Sequence, residues 1–238
     1  MIIMLGDIHG RFYDIECLIQ SYQISDCIMI QVGDFGAADI PSRVRRISEF
    51  DFFLKERNIT MYAIRGNHDD PEFFNGNWML DNLKLLPDYT VLNLEGQNFL
   101  FIGGATSIDR KNSLKLMQED ASYGVNNPRY WFNEKVNYDK EKLQSIKDID
   151  IIVTHTSPDY CHPINKLGFG QLVEHFAQND PTLIEELKEE RIIMTQIFND
   201  LKANNNIKKH FYGHFHRSFI ESLDMEHILL GINELKMV

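Results

Sequence analysis

The sequence predicts an α/β fold built around a parallel β-sheet. Short apolar runs alternate with amphipathic helical segments through residues 1–64, and this order is typical of right-handed βαβ units. The chain has 238 residues, which is long enough to bury a large core. We expect one domain over residues 1–238, because no repeat, low-complexity tract or linker interrupts the sequence.

The amino-terminal part supplies the βαβ units. Residues 12–24 place their apolar side chains on one helical face. A second helix begins near Asp39, which we expect to be its N-cap, and Pro41 suits the first turn. Three apolar runs have the length of buried strands: residues 2–5, 27–32 and 59–64.

The carboxyl-terminal part departs from this alternation. Residues 90–104 predict a β-hairpin. Residues 105–135 have weak periodicity and several aromatic side chains, so we expect a long structured loop or cap there. A helix follows Asp180 and Pro181, which suit its N-cap and its first turn. Four more segments are predicted strands: residues 148–155, 208–216, 218–223 and 227–232.

Composition and charge argue against several classes of function. The net charge is −11, so we expect no general nucleic-acid surface, which needs clustered Lys and Arg. Two divalent cations would add four positive charges and leave −7, so an anion could still bind at a metal site. No apolar run is long enough to span a membrane. The three cysteines are scattered and indicate no disulfide framework, so we expect a cytoplasmic protein.

Polar side chains able to bind metals follow five of the predicted strands. The strand ends on one side of an α/β sheet line a common crevice, where ligands bind. Oxygen and imidazole ligands without thiolate suit Mn²⁺, Fe or Zn²⁺. Seven candidate ligands are too many for one metal and fit two metals that share a carboxylate. The seven candidate ligands are Asp7, His9, Asp34, Asn67, His155, His214 and His216. His68 lies beside them and is not counted among the ligands.

The order of these motifs resembles that of a known superfamily. The chain is similar, from residue 2 to about residue 232, to the calcineurin-like metallophosphoesterases. That resemblance implies two facing β-sheets flanked by helices, a four-layer α/β/β/α sandwich, with a dinuclear metal site at the strand ends. The motifs are Gly6-Asp7-Ile8-His9-Gly10, Gly33-Asp34, Gly66-Asn67-His68-Asp69, Thr154-His155 and Gly213-His214-Phe215-His216.

The resemblance also implies a reaction and a division of the ligands. A hydroxide bridging two divalent metals would attack the phosphorus of a phosphomonoester or phosphodiester. Mn²⁺ is the first choice of metal, with Fe and Zn²⁺ as alternatives. The substrate would be a small molecule, a nucleotide or a phosphoprotein. One metal would be held by Asp7, His9 and His216, the other by Asn67, His155 and His214, and Asp34 would bridge them.

Two further roles come from the resemblance. His68 would protonate the leaving oxygen or stabilise its charge. Arg65 matches an arginine that grips phosphate in some branches, although it could instead pair with a neighbouring carboxylate. A non-catalytic interaction protein on the same scaffold is the alternative from another class. Its mark would be eroded ligands or a lost His68, and the sequence shows neither.

The sequence departs from the protein serine/threonine phosphatase branch. That branch carries Asp-Arg-Gly shortly after the second motif, so the aspartate that would orient His68 is missing from its usual place. The segment Gly103–Arg110, followed by Tyr130-Trp131-Phe132, is instead similar to small stand-alone microbial and phage metallophosphoesterases. Arg110 is a candidate substrate contact, with a surface ion pair to Asp109 as the alternative.

Several side chains have no clear role in the sequence. Arg11 could hold substrate or lie on the surface where a helix begins. The Cys161-His162 pair is expected to be incidental, and three other histidines fit ordinary surface or strand positions: His175, His210 and His227. Residues 105–135 and 156–180 are expected to form the rim of the pocket.

Overall fold

The computed structural model describes residues 1–78, 80–161, 163 and 170–238. In this part of the chain, eleven strands form two β-sheets. The strands are β1 Ile2–Leu5, β2 Cys27–Gln31, β3 Ile59–Ala63, β4 Leu83–Leu85, β5 Thr90–Leu94, β6 Gln97–Ile102, β7 Ile151–Thr154, β8 Lys209–Tyr212, β9 Phe219–Ser222, β10 Glu226–Leu229 and β11 Leu235–Met237.

The described residues also form helices between these strands. Two short 3₁₀ turns lie at Pro71–Phe74 and Asp159–Cys161. The α-helices are α1 Phe12–Ser21, α2 Pro41–Glu56, α3 Arg110–Ser122, α4 Lys140–Ser145, α5 Gly170–Ala177 and α6 Leu183–Lys202.

The first sheet has the order β11-β1-β2-β3-β4. Strands β1 to β4 run parallel, and β11 pairs with β1 in the antiparallel direction. Helices α1 and α2 cover its outer face through buried side chains such as Phe12 and Phe50, whose rings lie 5.1 Å apart. The predicted βαβ units are therefore confirmed.

The second sheet has the order β5-β6-β7-β8-β10-β9. Its four inner strands are parallel, and the two edge strands are antiparallel to their neighbours. Helices α4 and α6 cover its outer face, where Leu143, Met194 and Phe198 pack with Leu100 and Ile152.

The two sheets face each other across a second apolar core. Ile30 and Val32 from the first sheet pack there with Phe101, Val153 and Phe211 from the second. Because successive strand residues point to opposite faces, a strand buried on both sides reads as a continuous apolar run. The four-layer arrangement of helices, two facing sheets and helices is thereby confirmed.

Some predicted elements are wrong in detail. Residues 105–135 are more than a loop, because they contain the 13-residue helix α3. The helix has no apolar face, since Arg110 and Ser113 are its only buried residues. The hydrophobic pattern of the sequence therefore does not indicate a helix there. The very short strands β4 and β11 were also not predicted.

The two expected N-caps are also wrong. Ile40 occupies the N-cap of α2, and Thr182 occupies that of α6. Asp180 instead forms an ion pair with Arg110. None of the described helices is long and apolar enough to cross a membrane.

Candidate metal centre

One group of potential ligands lies where β1 and β2 end and after β8. Asp7, His9, Asp34 and His216 each offer a ligand atom, and these atoms lie within 4.8 Å of one another. The Nε2 atoms of His9 and His216 are 2.9 Å apart. His216 Nε2 lies 3.4 Å from the Asp7 carboxylate, and His9 Nε2 lies 3.7 Å from that of Asp34.

A second group shares Asp34 with the first. Asp34, His155 and His214 also offer ligand atoms within 4.8 Å of one another. Asn67 Oδ1 lies 3.1 Å from His155 Nε2 and 2.8 Å from His214 Nδ1. Asp34 Oδ1 lies 3.3 Å from His155 Nε2. The structure therefore brings together all seven ligands expected from the sequence, with Asp34 between the two groups.

The donor set fits cations. Asp7 is fully buried, yet its Oδ1 has no hydrogen-bond partner among the described residues. His155 Nδ1 lies 2.8 Å from the Val32 carbonyl and donates to it, and Nε2 is the ring atom that faces Asn67 and Asp34. Metal-binding histidines are commonly held through their other nitrogen in this way. An unpartnered carboxylate oxygen beside oriented imidazoles is the donor arrangement that a divalent metal would complete.

Backbone geometry brings the ligands close together. His9, Asp34, His214 and His216 all have positive φ angles, between 47° and 71°. Such angles are uncommon for residues with side chains and concentrate at functional sites. Asp7 and His9, and likewise His214 and His216, are therefore not alternate residues of an extended strand. They converge because tight turns follow the strands.

Two glycines are required for the same close approach. A Cβ atom at Gly66 would collide with the Asp34 carboxylate, and one at Gly213 would collide with that of Asp7. Larger residues at these positions would push the ligands apart.

Burial and the neighbouring charges shift the pKa values of the candidate ligands. Burial raises the pKa of Asp34, but His155, His68 and His9 outweigh it and hold that pKa well below its usual range. Burial lowers the pKa of His155, but the Asp34 carboxylate outweighs it and raises the pKa to about 9. Burial lowers the pKa of His9 to about 4, so that ring is neutral at pH 7. Asp34 is therefore an anion even at mildly acidic pH.

Asn67 is oriented by residues that sequence reasoning missed. Its Nδ2 donates to Ser107 Oγ at 2.9 Å, and Ser107 Oγ donates to Glu134 Oε2 at 2.6 Å. Glu134 Oε1 also accepts from the Ser107 N–H. All three side chains are buried. This series of hydrogen bonds, from Glu134 through Ser107 to Asn67, orients Asn67 Oδ1 toward His155 and His214.

Asp69 joins the loops that carry the ligands, and sequence reasoning missed this role as well. Its carboxylate accepts backbone N–H bonds from Phe35, Gly36, Ala37 and Gly66, at 2.5 to 3.0 Å. The side chain is fully buried. The only signal in the sequence was its place in the Gly-Asn-His-Asp motif.

Arg65 is buried away from the cavity beside the ligands. It donates to the Asp88 carboxylate at 2.7 Å and to the carbonyl oxygens of Glu134 and Lys135 at 2.6 and 2.9 Å. The structure therefore shows the alternative given in the sequence analysis, in which Arg65 pairs with a carboxylate. Arg65 therefore holds the loop around Glu134 against the end of β3.

Arg110 is likewise buried in an ion-pair network. It donates to Asp180, Glu186 and Thr182, which anchors α3 to the start of α6. This network replaces the surface pair with Asp109 that the sequence left open. Arg11 is exposed at the start of α1, as in its surface alternative. His162 lies outside the described residues.

A cavity of about 510 Å³ adjoins the second group of ligands. His68 and Asp109 line it together with Arg191. Residues from both expected rim segments contribute to it. Its apolar wall consists of Ile108, Leu172, Val173, Phe176, Leu187 and Phe215.

Arg191 was not predicted as a site residue. It lies on α6 and lines the cavity, and its Nε is buried without a hydrogen-bond partner among the described residues. Nothing in the local sequence distinguishes it from a helix-surface arginine.

A comparison with protein-family models shows which family the chain belongs to. The family model for calcineurin-like phosphoesterases matches residues 1–218, which include every candidate ligand described above. The chain belongs to the calcineurin-like phosphoesterase family. A search of curated proteins found no match. As a member of this family, the protein is a metal-dependent hydrolase of phosphoric esters in general. The two ligand groups agree with the family's typical use of two metals.

Replacement of Asp69 tests the loop anchor. Asp69→Asn would place an amide NH₂ among four backbone N–H donors, so we expect a loss of at least about 2 kcal/mol of unfolding free energy, measured with urea. The matched control is Asp81→Asn, because Asp81 is exposed and pairs only with Lys55 among the ion pairs of the described residues. Equal stability of the two variants would contradict the assignment.

Replacement of Arg110 separates a structural role from a substrate contact. Arg110→Ala would leave the buried Asp180 without its cation, so we expect a loss of about 3–5 kcal/mol of stability. Arg129→Ala, which removes a more exposed pair with Asp120, should cost less than about 1 kcal/mol. Unchanged stability with a raised KM for a phosphoester would identify Arg110 as a substrate contact instead.

Replacement of Ser107 tests the orientation of Asn67. Ser107→Ala would release the Asn67 amide, so we expect metal affinity to fall about 10- to 100-fold in titrations followed by calorimetry. Ser113→Ala, on the neighbouring helix α3, is the matched control. Wild-type affinity in Ser107→Ala would show that Asn67 does not depend on this contact.

Proposed function

We propose that the protein hydrolyses a phosphomonoester or phosphodiester with two divalent metal ions, and that Mn²⁺ is its preferred metal. The observation that carries this proposal is the shared Asp34 carboxylate, which belongs to both ligand groups, with His68 lining the adjoining cavity. A single carboxylate between two sets of imidazoles is the arrangement that a pair of metals needs.

The proposed ligands divide as the resemblance implies. Metals bound there would activate a water molecule as nucleophile and neutralise charge on the phosphoryl oxygens. Asp34 supplies the anion that both cations require, since its pKa lies well below its usual range because nearby histidines outweigh the effect of burial. One metal would be held by Asp7, His9, Asp34 and His216, the other by Asp34, Asn67, His155 and His214.

His68 is proposed as the proton donor to the leaving oxygen. Its side chain is half-buried and lies on the wall of the cavity. Its backbone N–H donates to Asp34 Oδ1 at 2.8 Å, which ties its position to the bridging carboxylate. The ring packs edge-on against His9, with the ring centroids 5.4 Å apart. These two contacts hold the imidazole beside the proposed ligands.

The cavity suggests the kind of ester. Its apolar wall suits an organic leaving group, because pockets of a few hundred cubic ångströms bind ligands mainly through apolar contact. Arg191 is the proposed phosphate contact in place of Arg65 and Arg110. Its Nε is buried beside the cavity without a protein partner among the described residues, so an anion there would complete its hydrogen bonding.

A substrate panel tests the proposed function. With Mn²⁺, the purified protein should cleave an aryl phosphate or a bis-aryl phosphodiester, and EDTA should abolish the activity. Asp34→Asn should lower kcat/KM by at least about 1000-fold, since it removes the anion shared by both metals. Asp14→Asn, on the exposed side of α1, should retain full activity. The ratio of monoester to diester cleavage assigns the class of substrate.

Two results would overturn the proposal. One is an inert wild-type protein with every divalent metal and every ester in the panel. The other is elemental analysis that finds no bound metal in the folded chain after dialysis against Mn²⁺. Absence of metal together with absence of activity would favour the interaction protein on the same scaffold.

A further inference from the structure

A third group of metal-binding side chains lies outside the catalytic region. His210 on β8 and His227 on β10 are register partners on neighbouring parallel strands. Cys161 ends the 3₁₀ turn that follows β7. One ligand atom from each of the three residues lies within 4.8 Å of the others. Both histidines are fully buried and Cys161 is 1% exposed.

The cluster lies on the outer side of the second sheet. Phe211, next to His210, packs in the core between the sheets, so His210 points the other way, toward the helices. There its ring lies 4.7 Å from that of Phe198 on α6. His210 and His227 therefore occupy strand positions, as one of the two expected alternatives stated, and their side chains are buried. The sequence could not show that two strands bring them together.

The outer nitrogens of both rings are held by protein groups. His227 Nε2 lies 3.0 Å from Asp224 Oδ1, and a carboxylate can only accept, so Nε2 carries the proton. His210 Nε2 lies 2.7 Å from Thr154 Oγ1. The one proton of Thr154 is donated to the Thr156 carbonyl, so His210 Nε2 donates to Thr154 in turn. Each neutral ring therefore has a lone pair on Nδ1.

Those two lone pairs face each other. The Nδ1 atoms of His210 and His227 are 3.0 Å apart. A proton between them would make one ring an imidazolium in a fully buried place. Burial, and then His227 and Lys202, hold the pKa of His210 well below its usual range. Burial likewise lowers the pKa of His227, although Asp224 offsets part of the effect. A cation bound by both nitrogens would resolve this conflict.

The distances and donors suit zinc. Two nitrogens bound to one tetrahedral Zn²⁺ at about 2.0–2.1 Å lie about 3.3 Å apart, close to the separation found here. A thiolate with two imidazoles is a set that Zn²⁺ prefers and that Mg²⁺ and Mn²⁺ do not. Asp224 and Thr154 would be the outer partners that orient the two histidines, as carboxylates and hydroxyls do at zinc sites.

We propose that Cys161, His210 and His227 form a structural zinc site, separate from the catalytic metals. Binding exchanges the thiol proton of Cys161 for the metal and releases that proton to solvent. The bound ion would fasten the turn after β7 to two inner strands of the second sheet.

Cobalt substitution tests the site independently of activity. Among the groups of potential metal ligands in the described residues, the Cys161 group alone contains a thiol, so we expect a thiolate-to-cobalt charge-transfer band in the near ultraviolet from this site. We expect this band when the metal-depleted full chain is titrated with Co²⁺, and we expect Zn²⁺ to bleach it. Cys161→Ser should abolish the band, whereas the matched control Cys27→Ser, at a buried position on β2, should keep it.

Zinc content supplies the second measurement. The wild-type chain saturated with Zn²⁺ should hold about three ions, and Cys161→Ser about two, since the catalytic pair is left in place. His227→Gln, which keeps the thiol, should also lose the band and covers the case in which Cys161→Ser fails to fold. A wild-type chain that binds cobalt without the band, or a band that persists in folded Cys161→Ser, would overturn the proposal.

Discussion

The site depends on one buried carboxylate that binds no metal in the proposed mechanism. Asp69 accepts four backbone N–H bonds, three from the loop after β2 and one from the loop after β3. The first loop carries Asp34 and the second carries Asn67 and His68. Because backbone N–H groups buried without partners are costly, these bonds hold the two loops in one arrangement. The spacing between the bridging ligand and the proposed acid follows from that arrangement.

The second sheet completes the site from the other side. His155 follows β7 and His214 follows β8, and both approach Asp34 and Asn67 across the gap between the sheets. The facing sheets bring Asn67 and His214, which are 147 positions apart in the sequence, into contact. The apolar core between the sheets therefore sets the distance between the two halves of the candidate metal centre.

The candidate metal ligands are held in an arrangement that is unfavourable without cations. Asp7 and Asp34 are both buried, and burial together with the Asp34 charge raises the pKa of Asp7 well above its usual value, although His155 opposes that shift. Four of the ligands also have left-handed backbone angles, each of which costs of the order of 1 kcal/mol or more. Metal binding would offset both costs. The outer Cys161 cluster shows the same principle with different donors, since its two facing lone pairs also need a cation.

The sequence by itself determined the family, the order of the motifs and the seven candidate ligands. These follow from short segments in which a buried strand ends in a ligand-bearing turn, and such segments are readable locally. The tertiary structure alone decided the roles of the arginines and of Glu134, since Arg65 and Arg110 meet carboxylates 23 and 70 residues away. It alone also brought Cys161, His210 and His227 together. Their pairing depends on strand order and on which face of the sheet each side chain occupies, and spacing along the chain does not encode these contacts.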